Sequence, residues 1–578
     1  MKARTMTKSA TAGRAPLVVL ALLAAGASAV ADDNAAARFK GTGRADPIRV
    51  KNVSVKRSGV GAAAVKFDLA WDHSWRAAWD VAEDRHGGKG VLSLENWDAA
   101  WVFIKFRKAD ADSYSHAMLA SAAGEHEVPT GAKLDVGLSD DGKRGMGVFV
   151  YRRAPGHGPN DWKRVTLRWL YGADGVPDPG AIGDIKVLAI KMVYVPECPF
   201  WVGDGSKDMT GRFSAGRTLD PFRIEGEGPI TLGGEKAENL GNRDSIGTHR
   251  AEDFTSGQTR KLPAAFPKGH AAFYCTRHEI TQEGYVAFLN TLGYAEQKRM
   301  TRTAPDAKAG SRVLASARGA IKIAVPGRQH PAQEVSRRDG VVRTRSRAPT
   351  PAVYATDAPY VPCGGLNGMT SGAYAAWAGL RPMTELEYEK ACRGPLKSVP
   401  NEYAWGTDKI AGTNRPEPPY DGYALKNPGK PDEHAVWEGN NGPDATRGNA
   451  VWNGTVTRTR GSYPAHAING PLRVEIFATP RSGRVGSGAS YWGIMELSGN
   501  LLDLTITVGS LDARRFAGEH GNGAPALPVG RNGFIGRGGH YGWRGDRHAT
   551  LHVSNRGTAG SRTLGADEAL RCVRSAPK

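Results

Sequence analysis

Glycine sets the first limit on what this chain can fold into. It supplies 74 of 578 residues, against the ~7% usual for globular proteins. The excess follows no Gly-x-y period and no solenoid or propeller repeat, so it marks turns and left-handed backbone positions rather than a fibre. Such a chain is expected to run as short strands and long loops on a small scaffold. A content of 14 tryptophans and 23% charged residues indicates folding rather than disorder. The length exceeds what one core serves, so two or more domains are expected.

Residues 1–31 read as an export signal. Lys2, Arg4, Lys8 and Arg14 form a basic leader, Ala15 to Ala29 is apolar and uncharged, and Ala29-Val30-Ala31 offers small residues for cleavage before Asp32. The apolar run is too short to span a bilayer, and no later segment is apolar enough to do so. The mature protein is therefore expected to be exported and not membrane-spanning, with a periplasmic, cell-surface or extracellular destination. Its five cysteines, Cys198, Cys275, Cys363, Cys392 and Cys572, would meet an oxidising compartment. The odd number leaves at least one unpaired, and none belongs to a CxxC motif.

Loss of the leader takes the formal net charge from +19 to +15. Much of the remainder is local: residues 298–347 hold 13 Lys/Arg against Asp306, Glu334 and Asp339. Such a segment reads as a solvated, partly disordered basic insertion, or as a patch for a polyanion such as a sulfated glycan. Without aromatics interleaved among the arginines it does not point to nucleic acid.

From 46 to 186 the pattern is β. Val65, Phe67, Leu69 and Trp71 alternate with Lys66, Asp68 and Ala70. Further strand-like runs are Trp101–Phe106, Met146–Tyr151, Val165–Tyr171 and Ile185–Val195, separated by Gly/Asp/Pro turns. Strands without intervening helices predict an antiparallel β-sandwich. Trp71, Trp75, Trp79, Trp97, Trp101 and Trp169 are expected to fill its core rather than form a sugar-stacking face.

From about 187 onward the pattern changes. Thr281 caps a helix bearing Tyr285, Phe288, Leu289 and Leu292 on one face. A second helix is expected over roughly Ser371–Ala378. Thr384-Glu385-Leu386-Glu387 is a capping box opening a third, through Ala391. Three segments resemble the formylglycine-generating enzyme, or sulfatase-modifying factor, family. They are Tyr274–Thr281; Tyr374–Gly394, containing Gly379-Leu380-Arg381-Pro382-Met383-Thr384-Glu385; and a closing series of Tyr403–Gly406, Trp492–Asn500, Arg537-Gly538-Gly539 and Leu570-Arg571-Cys572. The resemblance covers 187–578 and implies an α+β, loop-rich fold with a C-type-lectin-like core, preceded here by the sandwich.

The family oxidises a cysteine in a sulfatase motif to formylglycine with molecular oxygen and copper, held by two thiolates, in keeping with the soft-ligand preference of Cu(I). The first thiolate follows Arg-Gly-Gly-Ser-Tyr/Trp-x directly and the second stands five residues later. In this chain those positions are Trp543 and His548, within the run His540, Tyr541, Gly542, Trp543, Arg544. Indole and one imidazole do not replace two thiolates, so copper and formylglycine-generating activity are not expected. His520, His540, His548 and His552 could in principle hold another metal, with His548 and His552 adjacent only on a helix. The resemblance implies a calcium site at Glu496, Gly499, Leu501 and Asp503, and a disulfide between Cys392 and Cys572.

The expected function is that of a secreted, non-catalytic relative that binds a peptide, glycan or cell-surface ligand, or serves in surface structure. The old groove, with His540, Tyr541, Trp543, Arg544 and His548, is its candidate surface. The alternatives are a metal-dependent oxidase or maturation enzyme with an atypical site, and a polyanion binder working through 298–347.

Overall fold

The structure, a computed structural model, describes residues 33–207, 211–242, 254, 259–330, 333–338, 341–345, 348–411, 422–438, 446–453, 470–529, 533–542, 549–556 and 567–577. Residues 1–31, expected from the sequence to be an export leader, lie outside them. The described part is mostly sheet with few helices, and its strand pairs are predominantly antiparallel.

The long strands of the first half are β1 (Arg49–Gly59), β2 (Ala62–Val81), β3 (Leu92–Lys108), β4 (Ala132–Leu138), β5 (Gly145–Arg152), β6 (Gly156–Trp169) and β7 (Ile182–Val195). β2 pairs with β1 and β6, while β3 pairs with β5 and β7, and β4 with β5. The end of β2 runs on into a pairing with the start of β3, Arg76 opposite Trp97. One continuous sheet thus folds over on itself. Its inner face is filled by Val65, Leu69 and Trp71 of β2, Val102 and Ile104 of β3, Val148 and Val150 of β5 and Leu167 of β6. The polar atoms this burial requires are matched: Trp71 Nε1 donates to Asp98 at 2.7 Å, and the Ser74 hydroxyl to the same carboxylate at 2.6 Å.

β3 is buried at every residue from Asn96 to Phe106, which accounts for its unbroken apolar run. Its second face, with Trp97, Trp101 and Phe103, belongs to a core shared with Tyr274, Phe288, Tyr374 and Trp377. Trp101 Nε1 donates to Ala378 O at 2.8 Å, and Phe103 meets Trp377 edge-on at 5.2 Å. Of the six tryptophans expected in the sandwich core only Trp71 and Trp169 lie there; Trp97 and Trp101 fill the shared core, Trp75 is buried in a third cluster, and Trp79 is half-buried under the Arg38 guanidinium.

The second half continues the same sheet. The elements that frame its site and shared core are β8 (Phe273–Thr276), α1 (Gln282–Leu289), β9 (Ile321–Val325), β10 (Val353–Thr356), α2 (Gly368–Trp377), β11 (Arg381–Pro382), α3 (Glu385–Arg393), β12 (Leu502–Ile506), β13 (Phe534–Arg537), β14 (Glu568–Ala569) and β15 (Cys572–Ser575). β7 pairs with β8, β8 with β15 and β15 with β11. The 186/187 boundary drawn from the sequence therefore falls inside β7, whose residues on both sides of it pair with β3.

Local signals place the helices. Thr281 caps α1 by accepting from Gly284 N at 3.2 Å, and Thr384 and Glu387 close the capping box of α3 at 3.2 and 2.9 Å. α2 begins three residues before the expected Ser371, because Asn367 caps it, accepting from Met369 N and Thr370 N. The basic segment 298–347 is not wholly solvated. Met300, Val313, Ile321 and Ile323 enter the main core, and β9 pairs with β10. The side chains of 331–347 lie outside the described residues.

The Cys392–Cys572 bridge is not formed. All five cysteines are buried free thiols. Strand alternation gives the reason: on β15, Val573 faces the apolar cluster holding Cys392, whereas Cys572 faces the cluster of Tyr374 and Leu570. Among the described residues no helix is long and apolar enough to cross a membrane.

Candidate functional site

β12 and β13 pair with Asp503 opposite Arg537. After Arg537 the chain turns through Gly538 and Gly539 at φ +83° and +68°. A Cβ at Gly538 would stand 2.6 Å from Leu497 O, so the turn requires glycine. It delivers Tyr541, whose amide donates to Asn500 O at 2.9 Å. The Tyr541 hydroxyl donates to Asp567 Oδ1 at 2.6 Å, and His540 Nδ1 lies 3.7 Å from Asp567 Oδ2. Gly542 N donates to His540 Nδ1 at 3.1 Å, which puts the ring proton on Nε2. Burial lowers the imidazole's pKa, against the pull of Asp567, so the ring is a neutral polar group beside an acid. Trp543, Arg544 and His548, the other groove residues expected from the sequence, lie outside the described residues.

Of the other candidate histidines, the described His520 and His552 are engaged separately. His520 is spent on Asp140 through Nδ1 at 3.0 Å and accepts from Ser575 N at 3.1 Å. His552 packs edge-on to Tyr403 at 4.8 Å. Among the described residues no group of three or more His, Cys, Asp or Glu is arranged to hold a metal.

The four residues expected to bind calcium fall beside a buried charge cluster. Glu496, at φ +53°, accepts from Glu475 N at 2.7 Å. Asp503 accepts from Arg571 Nε at 3.0 and 2.8 Å, and Arg571 also lies 3.5 Å from Glu279. Gly499 N donates to Gly538 O at 2.8 Å, and Leu501 N to Glu279 at 3.4 Å. Burial pushes the carboxyls of Glu496 and Asp503 up to about 8 and about 6, against the opposing charge of Arg571. Burial also raises that of Glu279 well above its ordinary value. Calcium needs ionised oxygens pointing into an open shell. Here a guanidinium occupies Asp503 and supplies the positive charge, so the residues as arranged do not fit calcium.

Beneath the turn lies a second network that sequence reading missed. Glu385 accepts from Arg537 at 3.1 Å and from Arg556 at 2.8 and 3.0 Å. Glu389 accepts from Arg537 at 2.8 Å and Arg393 at 3.2 Å. Burial raises the Glu385 carboxyl, yet Arg556 and Arg537 hold it below its usual range. These pairs fix α3 against β13 and so hold the glycine turn; removing one partner of such a pair costs about 3–5 kcal/mol. Asp567, which engages both His540 and Tyr541, was also missed, because no local motif ties it to a turn 26 positions earlier.

The site therefore offers a neutral imidazole, a phenol and a carboxylate on a rigid turn, and no thiolate among its described residues. Cys198, Cys275 and Cys392 sit in one apolar cluster and Cys363 and Cys572 in another, while Tyr541 packs in a third with Leu472 and Leu501. No curated protein matches the chain. The sulfatase-modifying factor enzyme 1-like domain matches residues 246–576, more than half of the chain, and the protein belongs to that family.

Proposed function

We propose that the protein is an exported, non-catalytic member of its family that works by binding, as a periplasmic or cell-surface module. The reading rests on sulfur. The two positions where the family's copper thiolates stand are Trp543 and His548. The thiols that remain are buried, and burial raises their pKa values, that of Cys275 up to about 12. A thiol held protonated in an apolar cluster is a poor ligand for Cu(I). Few helices, antiparallel sheets and long loops support a C-type-lectin-like core, which presents loops for recognition over a rigid base. Metal analysis of the purified protein loaded with Cu(I) is the test. No stoichiometric copper or iron is expected, and one equivalent of either would favour an oxidase instead.

A second reading is favoured by exposed cations. Lys298, Arg299, Arg302, Lys308, Arg312 and Arg328 all stand exposed in the basic segment. They would capture a sulfated glycan through interactions that salt screens. Retention on a sulfated glycan matrix that collapses with salt supports this reading; salt-independent retention counts against it.

A further inference from the structure

β7, a central strand of the large sheet, leaves more than half of one edge unpaired among the described residues. β3 covers its other edge from Ile182 to Val193, but on this edge β8 reaches only Met192 to Val195. Arg277 N donates to Lys191 O at 3.0 Å, so the odd-numbered residues of β7 aim their backbone groups this way. By alternation Val187 and Ala189 do the same, and among the described residues no strand pairs with them there. β1, across the gap, pairs with β2 alone.

The open edge lines a cleft of about 570 Å³ between β1 and the start of α1, within the range of ligand sites. Ile48, Val50, Ile190 and Ala287 make its walls apolar. Three polar side chains line it. Tyr374, 3% exposed, lines the cleft with a hydroxyl that has no hydrogen-bond partner among the described residues, and a Cβ on Gly284 would stand 3.2 Å from that oxygen. His278 is tied through Nδ1 to Glu279 O at 2.8 Å, which leaves Nε2 as the ring's acceptor. Glu283 is exposed at the mouth and has no cationic partner among the described residues. The cations beside it are engaged: Lys191 pairs with Asp46 at 2.7 Å and Arg49 with Asp72, while Lys51 is exposed on β1.

We propose that this cleft captures an extended peptide, which adds as a strand to the open edge at Val187 and Ala189 and sets a lysine or arginine against Glu283. Only a backbone satisfies a row of alternating N–H and C=O groups, and apolar walls take every second side chain. The unpaired carboxylate selects the charge of the others. Tyr374 and His278 supply hydrogen bonds at the α1 end. The inference stands apart from the reading of the glycine turn, because neither His540 nor Tyr541 lines this cleft.

Fluorescence anisotropy on the full mature chain tests it, with labelled hexapeptides alternating valine with lysine, valine with glutamate, and valine with lysine carrying N-methyl groups on alternate amides. Saturable binding of the valine–lysine peptide is expected, with at least tenfold weaker binding of the N-methylated and glutamate forms. The Gly284→Ala variant should weaken the valine–lysine peptide roughly three- to tenfold, the scale of one hydrogen bond. Its thermal midpoint should not fall, since alanine suits a helix better than glycine. Saturable binding by none of the three peptides overturns the proposal. So does affinity that survives N-methylation of the alternate amides, or that Gly284→Ala leaves unchanged.

Discussion

The carboxyl of Glu496 gives a measurable link between the buried charge cluster and stability. Burial pushes it up to about 8, whereas in the unfolded chain it titrates near 4.5. Between those values the folded state carries a proton that the unfolded state has shed. Stability from this group is therefore full below about pH 4.5 and falls as the pH rises toward 8. The histidines lowered to about 4 by burial, His73, His278 and His520, act in the opposite sense. Their contribution rises between about 4 and 6.5 and is complete above 6.5. Lys268, lowered to about 8 by burial, acts only above that pH. The window from pH 6.5 to 8 thus spans 1.5 units in which folded Glu496 still holds a proton that the unfolded chain has lost, worth at most about 2 kcal/mol at 1.36 kcal/mol per unit. The Glu496→Gln variant keeps an oxygen for the Glu475 amide and has nothing to titrate. Buried Lys105, also lowered, contributes equally to both proteins. Urea unfolding followed by tryptophan fluorescence at half-unit pH steps should show the wild type losing up to about 2 kcal/mol relative to Glu496→Gln across the window. Parallel pH profiles, or a wild type that gains on the variant as the pH rises, would refute the reasoning.

Three other outcomes follow from the same packing. Trp101→Ala should cost about 3–5 kcal/mol and release both halves of the chain together in limited proteolysis, because that indole lies in the core the two halves share. Thiol titration in denaturant without reductant should find five free thiols per chain, whereas three would restore the Cys392–Cys572 bridge. Millimolar calcium should leave the thermal midpoint unchanged. A rise reversed by chelator would show a cation displacing the Arg571 guanidinium from Asp503.

What could be read in the sequence depended on whether the cause was local. Thr281, Thr384 and Glu387 announce their helices because capping acts within four residues. The start of α2 escaped because Asn367 sits ahead of the apolar period. The run Trp101–Phe106 marked a strand, but a strand buried on both faces does not say what covers its second face; that partner, Trp377, is 272 positions from Lys105. In the basic segment the count of arginines hid Val313, Ile321 and Ile323, which carry it into the core. At the site, Arg537-Gly538-Gly539 was legible because the turn needs glycine at positive φ. Asp567 was not, since only the fold brings it to Tyr541. Leu570-Arg571-Cys572 drew attention to its sulfur, whereas the structure gives the central role to its arginine, buried among Glu279, Glu496 and Asp503.

The central question is whether the family's oxidation survives with Trp543 and His548 in place of its thiolates. Mature protein incubated with Cu(I), dioxygen and a cysteine-bearing sulfatase-motif peptide, followed by mass spectrometry, addresses this directly. The peptide should keep its thiol through many hours at equimolar protein; conversion of that thiol to an aldehyde, dependent on copper and on the folded chain, would contradict the account.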